Sequence, residues 1–163
     1  MLGEENKALA RLFSEEFWNK GNMAAVDELM AANAKIFLLG RGQVGLNDLK
    51  AFAVSLRGAF PDWHATTDEM VAEEKRVAER WTGRGTHREK FRGIAPTGRQ
   101  VTVPGTVFYR FASGKITEFH GQFDGLTLMQ QLGVIEPFAC SGVYVNFLGQ
   151  EEQQGQTEQT ETG

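Results

Sequence analysis

Cysteine and long apolar runs are scarce in this sequence, and each scarcity excludes a class of protein. Cys140 is the only cysteine among 163 residues, so no disulfide can form within the chain and nothing indicates an oxidising compartment. No apolar run approaches the length of a membrane span, and residues 1–13 carry charges where a signal peptide would be apolar. We therefore expect a cytoplasmic protein with no membrane partner.

Positive charge is also in short supply, and the residues that could bind a metal are scattered. The 17 lysines and arginines are outnumbered by 21 acidic residues, and the net charge of −4 offers nucleic acid no attraction. His64, His87, His120 and Cys140 show no short spacing among them, whereas structural zinc ligands come in closely spaced pairs. We predict neither a metal site nor a nucleic-acid partner.

The chain does contain a helical first part followed by strand-like alternation. Apolar residues recur at helical spacing in three segments, 4–20, 24–30 and 46–56. A short strand at 35–39 and a flexible link at 40–45 separate the last two. After Asp62 the period changes to two, which predicts long strands: 63–72, 76–87, 100–110 and one that begins at Lys115. This order predicts a single α+β domain.

The C-terminal part differs in composition from the rest. Residues 138–148 form an apolar extension, and we expect it to dock or to take part in assembly because it would otherwise expose an apolar patch. Residues 149–163 contain four glutamates and no apolar side chain, which predicts a disordered polar tail. The folded domain is therefore expected to span residues 1–137.

The stretch KITEFHGQFDGLTLMQQLG, residues 115–133, changes from strand spacing to helical spacing. His120, Gln122 and Asp124 share one face of the strand because strand side chains repeat every two residues. Asp124 stands where the helix begins, so its carboxylate could cap that helix. If the three residues instead lined an apolar pocket, burial would raise the pKa of Asp124 and suit it to proton transfer.

The same region carries a family resemblance that extends from Asn6 to Gly133. The residues that carry it are the motif GIAPTG at 93–98, the hairpin around Ser113-Gly114, and Asp124 together with LMQQLG at 128–133. On these residues the chain resembles the SnoaL-like polyketide cyclases of the nuclear transport factor 2-like superfamily. The resemblance implies a curved antiparallel sheet forming a cone-shaped α+β barrel, with N-terminal helices closing an apolar pocket. It also implies ester cyclase-type chemistry in polyketide metabolism, with aldol ring closure that uses no metal or organic cofactor.

The resemblance assigns the acid/base role to an aspartate that matches Asp124. His120 and Gln122 would then stabilise the developing oxyanion, although a core hydrogen bond for His120 and a cross-strand pair for Gln122 are equally compatible with the pattern. Five large aromatic residues are candidate pocket walls for a small apolar metabolite, or simply core residues: Trp18, Trp63, Trp81, Phe108 and Tyr109.

Two local patterns stand outside this assignment. Arg76, Arg80 and Arg84 alternate along one strand face as a solvated stripe, and Glu79 on the opposite face suggests a bulge. The segment HREKF, residues 87–91, carries three charged residues where a glycine is common in the family.

Three functional hypotheses stay open. The first is a cyclase, the second an isomerase, dehydratase or epoxide hydrolase on the same scaffold, and the third a non-catalytic small-molecule-binding or dimerisation module. An enclosed cavity of about 300–1,000 Å³ that reaches Asp124 would favour ligand binding. The outer strand face, where Phe108 lies beside threonines such as Thr106, predicts a two-fold symmetric homodimer built sheet against sheet.

Overall fold

A computed structural model of the chain describes residues 2–38 and 42–136. The predicted extension at 138–148 and the predicted tail at 149–163 lie outside the described residues. The described elements, in chain order, are α1 (Leu2–Phe13), a π-helix (Ser14–Asn19), α2 (Ala24–Leu29), β1 (Met30–Leu38), β2 (Gly42–Val44), α3 (Leu46–Ala59), β3 (His64–Glu73), β4 (Arg76–Thr86), β5 (Gln100–Ala112), β6 (Lys115–Phe123) and α4 (Gly125–Gln131).

The predicted α+β class is confirmed, because helices cover one face of a curved, unclosed sheet of six strands. The strand order is β2-β1-β6-β5-β4-β3. The described pairings are antiparallel except β1 with β6, so the antiparallel sheet that the resemblance implies contains one parallel pair. A long excursion through the other elements separates β1 from β6, so the chain can re-enter the sheet in the same direction. Within the described residues, no helix is both long and apolar enough to span a membrane.

Several boundaries near the N-terminus differ from the sequence-based prediction. The single helix expected over 4–20 changes after Phe13 into a π-helix, in which the Lys20 amide donates to the Glu15 carbonyl at 3.0 Å. The link expected over 40–45 contains strand β2, whose Val44 pairs with Ile36 of β1. Backbone pairing decides this segment, because a sheet edge offers it hydrogen bonds that local propensity cannot register.

Alternation along β5 divides the sheet into an inner face and an outer face. Residues of this strand are buried and exposed in strict turn, so Val107 and Tyr109 face the helices while Thr106 and Phe108 face outward. Phe13 and Phe17 cover the inner face, and the ring of Phe13 lies 6.1 Å from that of Phe119. Fully burying one such side chain contributes about 1.5–3 kcal/mol, so the inner face holds most of the stabilising contacts.

Candidate active site

A cavity with mostly apolar walls lies between the helices and the inner face of the sheet. Its volume is about 90 Å³, which is below the roughly 300–1,000 Å³ of pockets for drug-sized ligands. The criterion that would favour ligand binding, an enclosed cavity in that range that reaches Asp124, is met on neither count, since Asp124 is not part of the wall either. Aromatic rings form much of the lining: Trp18, Phe52, Trp63, Trp81, Phe91, Tyr109, Phe119 and Phe123.

Two glycines of the sheet make room for the indole rings. A methyl group on Gly83 would overlap the ring of Trp63, and one on Gly105 would overlap the ring of Trp81. Both tryptophans therefore lie close against backbone that carries no side chain. The glycines fix the shape of the cavity, because any larger residue at either position would displace a wall.

The polar part of the wall is centred on Glu79, which is only 3% exposed. One carboxylate oxygen, Oε1, accepts a hydrogen bond of 2.5 Å from the Thr67 hydroxyl. The other, Oε2, accepts from the Tyr109 hydroxyl at 2.9 Å and from the Ser14 hydroxyl at 3.3 Å. Glu79, Tyr109 and Ser14 all line the cavity, so this hydroxyl-bound carboxyl group is available to a molecule inside it.

Burial dominates the acid–base properties of this cluster. Desolvation raises the pKa of Glu79, although hydrogen bonds from Thr67, Tyr109 and Ser14 and the charge of Arg11 pull that pKa down. Desolvation, together with the neighbouring negative charge of Glu79, raises the pKa of Tyr109 well above its usual range. Glu79 thus keeps its proton to a higher pH than an exposed glutamate does, while Tyr109 stays a hydrogen-bond donor.

The π-helix carries Trp18, which forms part of the cavity wall, and Ser14, whose hydroxyl group hydrogen-bonds to the Glu79 carboxyl group. Arg57 Nη1 donates to the carbonyls of Trp18 at 3.0 Å and Asn19 at 2.6 Å. The Asn19 side chain makes two hydrogen bonds, of 2.8 and 3.0 Å, to the backbone of Ala65. The Arg57 contacts satisfy carbonyls at the end of the helix, which have no partner within it, and short π-helices occur often at functional sites.

The three residues assigned to catalysis from the sequence lie along the outer face. Strand β6 turns Phe119, Gly121 and Phe123 inward, so alternation turns His120 and Gln122 outward. The His120 ring stacks on Phe37 at 4.3 Å, and its Nε2 lies 3.6 Å from a carboxylate oxygen of Glu118. Gln122 borders both the cavity and a groove on the outer face, which Phe108 and His120 also line.

Asp124 caps α4. Its Oδ2 accepts a hydrogen bond of 2.6 Å from the Thr127 hydroxyl, and its Oδ1 accepts one of 2.9 Å from the Thr127 amide. These hydrogen bonds lower the pKa of Asp124, so the rise that a buried pocket position would cause is not found. A catalytic role for Asp124, His120 and Gln122 stays a prediction that their position does not favour.

The aromatic candidates divide between the two faces. Trp18, Trp63, Trp81 and Tyr109 line the cavity, and their contact with a substrate stays a prediction. Phe108 does not line it: the residue is 60% exposed on the outer face because it alternates with the inward-facing Val107 and Tyr109.

Glu79 is the residue that the sequence analysis misjudged. The bulge expected there is wrong, because β4 pairs with β5 in unbroken register and the irregularity lies in β3, between Thr67 and Glu69. A signal was present in the sequence: Glu79 shares its strand face with Val77 and Trp81, which is an unusual position for a carboxylate.

A curved sheet, covering helices and an apolar cavity between them define the class of cone-shaped α+β folds. Within this class, the chain belongs to the SnoaL-like polyketide cyclase family, whose model matches residues 8–132. No protein with a curated function matches the sequence.

Solved structures are similar over most of their length. A candidate SnoaL-like polyketide cyclase from Jannaschia sp. CCS1 is 21% identical with a TM-score of 0.75, covering 82% of this chain and 95% of its own. AclR, a candidate hydroxylase from Streptomyces galilaeus, is 28% identical with a TM-score of 0.73, covering 81% and 98%. IdmH, a candidate polyketide cyclase from Streptomyces antibioticus, is 28% identical with a TM-score of 0.72, covering 78% and 98%. The different activities named for AclR and IdmH show that fold alone does not fix the chemistry.

Proposed function

We propose that the protein catalyses proton transfer on a small, mainly apolar carbonyl compound held in the inner cavity. One observation carries the proposal: Glu79 places a buried carboxyl group with a raised pKa in a wall made largely of aromatic rings. A carboxyl group whose pKa moves toward the working pH is both a stronger base and a usable acid. Membership of the cyclase family favours intramolecular aldol ring closure as the reaction.

A single carboxyl group can serve the whole of this reaction. Ionised Glu79 takes a proton from the carbon beside the substrate carbonyl, and the resulting enolate forms a carbon–carbon bond to a second carbonyl of the same molecule. The new alkoxide then recovers the proton from Glu79, so the carboxylate is regenerated and no other reactant is consumed. The Tyr109 hydroxyl, which keeps its proton, donates a hydrogen bond to Glu79 Oε2 at 2.9 Å and so holds the carboxyl group in place while the proton moves.

The cavity limits the size of the substrate. A volume of about 90 Å³ admits a small ring system more readily than a fused polyketide of several rings. We therefore expect a compact carbonyl compound, with the indoles of Trp18 and Trp81 against its apolar faces.

Other chemistries share parts of this mechanism. An isomerase would use the same first proton abstraction and return the proton to a different carbon, and a dehydratase would expel a hydroxyl group after it. An epoxide hydrolase would need several carboxylates around a water molecule, whereas Glu79 is the only buried one in the described cavity wall. The non-catalytic alternative keeps the cavity as a binding site and gives Glu79 only a structural role.

Exchange of carbon-bound protons for deuterium tests the proposal without knowledge of the natural substrate. The compound 2-tetralone is a small ketone with a fused benzene ring and acidic protons beside its carbonyl, and their replacement in heavy water is followed by NMR. We expect the wild type to accelerate this exchange and Glu79→Gln to lose about 10²–10⁴-fold of the acceleration, the usual contribution of a general base. The rate should rise with pH through the raised pKa of Glu79, because only the carboxylate accepts a proton.

The matched control is Asp124→Asn, which alters the carboxylate that the family resemblance selects. Retained exchange in this variant supports Glu79 as the base, whereas its loss together with retention in Glu79→Gln would return the role to Asp124. A wild type no faster than solvent would favour the non-catalytic binding module. Near-ultraviolet circular dichroism on each variant checks that the fold is intact.

Cytoplasmic location and a homodimer built on the outer face stay predictions. The first is argued from cysteine content and charge, and the second from exposed Phe108.

A further inference from the structure

The rim of the cavity carries a charge that the proposed reaction does not use. Arg92 and Asp48 both line the cavity and both are exposed, so they mark where it meets solvent. Arg92 is the only cationic residue in the described cavity wall, and Glu79 lies at the buried end. A molecule in this cavity therefore has a carboxyl group beside its inner part and a guanidinium group at its outer part.

A tight turn fixes Arg92 in this place. Phe91 is fully buried and exchanges two backbone hydrogen bonds with Ile94, of 3.0 and 2.8 Å. Arg92 and Gly93 between them have φ values of +48° and +90°, the pattern of a type I′ turn. A positive φ is unfavourable for a residue with a side chain, and such positions are concentrated at ligand-binding sites.

The charges of the loop that carries Arg92 favour an anion. The loop from Arg88 to Arg99 contains four cationic residues and one carboxylate, although the whole chain has a net charge of −4. Arg92 forms no salt bridge with any described residue. The Asp48 carboxylate accepts a hydrogen bond of 2.9 Å from the Gly45 amide at the start of α3, where the helix dipole offsets part of its charge.

We infer that Arg92 binds an anionic oxygen group, a carboxylate or a phosphate, on a substrate whose uncharged carbonyl part fills the cavity. The inference rests on the proposed function, because it requires the cavity to be the substrate site. It narrows the substrate class to molecules with a neutral carbonyl-bearing end and an anion separated from it by a spacer. An anion directly beside the carbonyl is disfavoured, since it would lie against Glu79 in apolar surroundings.

A series of ω-benzoylalkanoates, each compared with its own methyl ester, measures this arrangement. Acid and ester share the aryl ketone, and the length of the methylene chain sets how far the carboxylate lies from it. Quenching of the cavity tryptophans gives the dissociation constants. We expect the acid to bind about three- to fivefold more tightly than the ester at one chain length, as for an exposed ion pair, and the gain to shrink at high salt.

Variants of the loop assign the gain to one side chain. Arg92→Gln should bring the acid down to the affinity of its ester, and Arg92→Lys should retain part of the gain. Lys90→Gln removes an exposed charge from the same loop outside the cavity wall and should keep most of it. A phosphate monoester of the same ketone, run beside the carboxylate, distinguishes a small organic acid from a phosphate-bearing substrate by which anion gains more.

The outcomes separate this inference from the proposed function. Equal affinity of acid and ester at every chain length, or a gain that survives Arg92→Gln, overturns the role of Arg92 and leaves the cavity as the substrate site. Failure of both acids and esters to bind overturns the cavity as a site for aryl ketones, and with it both proposals.

Discussion

The inner and outer faces of the sheet place the same functional group in opposite environments. On the inner face, burial raises the pKa of Glu79 while three hydroxyl groups hold its carboxyl group in place. At the outer face, hydrogen bonds from Thr127 lower the pKa of Asp124 at the exposed start of α4. The comparison teaches that burial, more than residue type, decides whether the pKa of a carboxyl group rises or falls.

Two arginines also differ in role according to the groups that surround them. Arg80 on the outer face has its guanidinium 3.3 Å from Asp68 and 3.6 Å from Glu69, and such exposed pairs contribute about 0–1 kcal/mol each. Arg57 instead donates to two backbone carbonyls behind the cavity and holds the π-helix that carries Trp18. An arginine that satisfies buried backbone groups shapes the site, while one in a solvated pair does not.

The largest effect is expected where the outer face would meet a second copy of the chain. Thr106→Glu places a carboxylate beside exposed Phe108, and across a two-fold axis it would face its own copy, at a cost of several kcal/mol. We expect light scattering to show a dimer for the wild type and a monomer for this variant. Val54→Glu, a change at an exposed position of α3, should leave the dimer intact. A wild-type monomer, or a dimer that survives Thr106→Glu, would contradict assembly through the sheet.

The next effect tests how tightly the inner face is packed. Gly105→Ala adds a methyl group that overlaps the Trp81 ring and lies 2.7 Å from the Gln122 carbonyl oxygen, so we expect a loss of about 1–3 kcal/mol in unfolding free energy. Gly58→Ala on α3 meets nothing within 4 Å and should stabilise by up to about 1 kcal/mol through helix propensity. Urea unfolding measures both, and equal stability of the two variants would mean that the Trp81 wall yields without cost.

Much of the division of the sheet into two faces could be predicted from the sequence, but the candidate site itself could not. Alternation gave β4 and β5 nearly their observed bounds and placed His120 and Gln122 on a shared face. It could not say which face the helices cover, because that choice depends on long-range contacts such as Phe13 with Phe119. Glu79 was missed for the same reason, since its three hydroxyl partners come from different parts of the chain.

A smaller effect is expected from the helix cap. Asp124→Ala removes two hydrogen bonds to Thr127 and should cost about 1 kcal/mol of stability. Because the folded pKa of Asp124 is lowered, the stabilisation is present above the unfolded pKa and is lost as pH falls through the folded one. Urea unfolding from neutral to acidic pH should therefore show wild type and variant converging in acid. Asp27→Ala removes an exposed carboxylate that pairs with Lys50 and should cost less, as surface ion pairs do.

The smallest effect should be the pH dependence that Glu79 adds to stability, and its sign is opposite to that of Asp124. A raised folded pKa means that the folded protein keeps a proton which the unfolded chain has already released, so stability falls as pH rises between the two pKa values. Three hydroxyl hydrogen bonds and the charge of Arg11 favour the carboxylate and keep this loss small. Glu79→Gln cannot ionise, so its unfolding free energy should lack the decline. The difference, wild type minus variant, should therefore become less favourable from acidic toward neutral pH and then level off. Thermal unfolding across that range measures it, and a difference that instead grows with pH would show that the hydroxyl groups outweigh burial at Glu79.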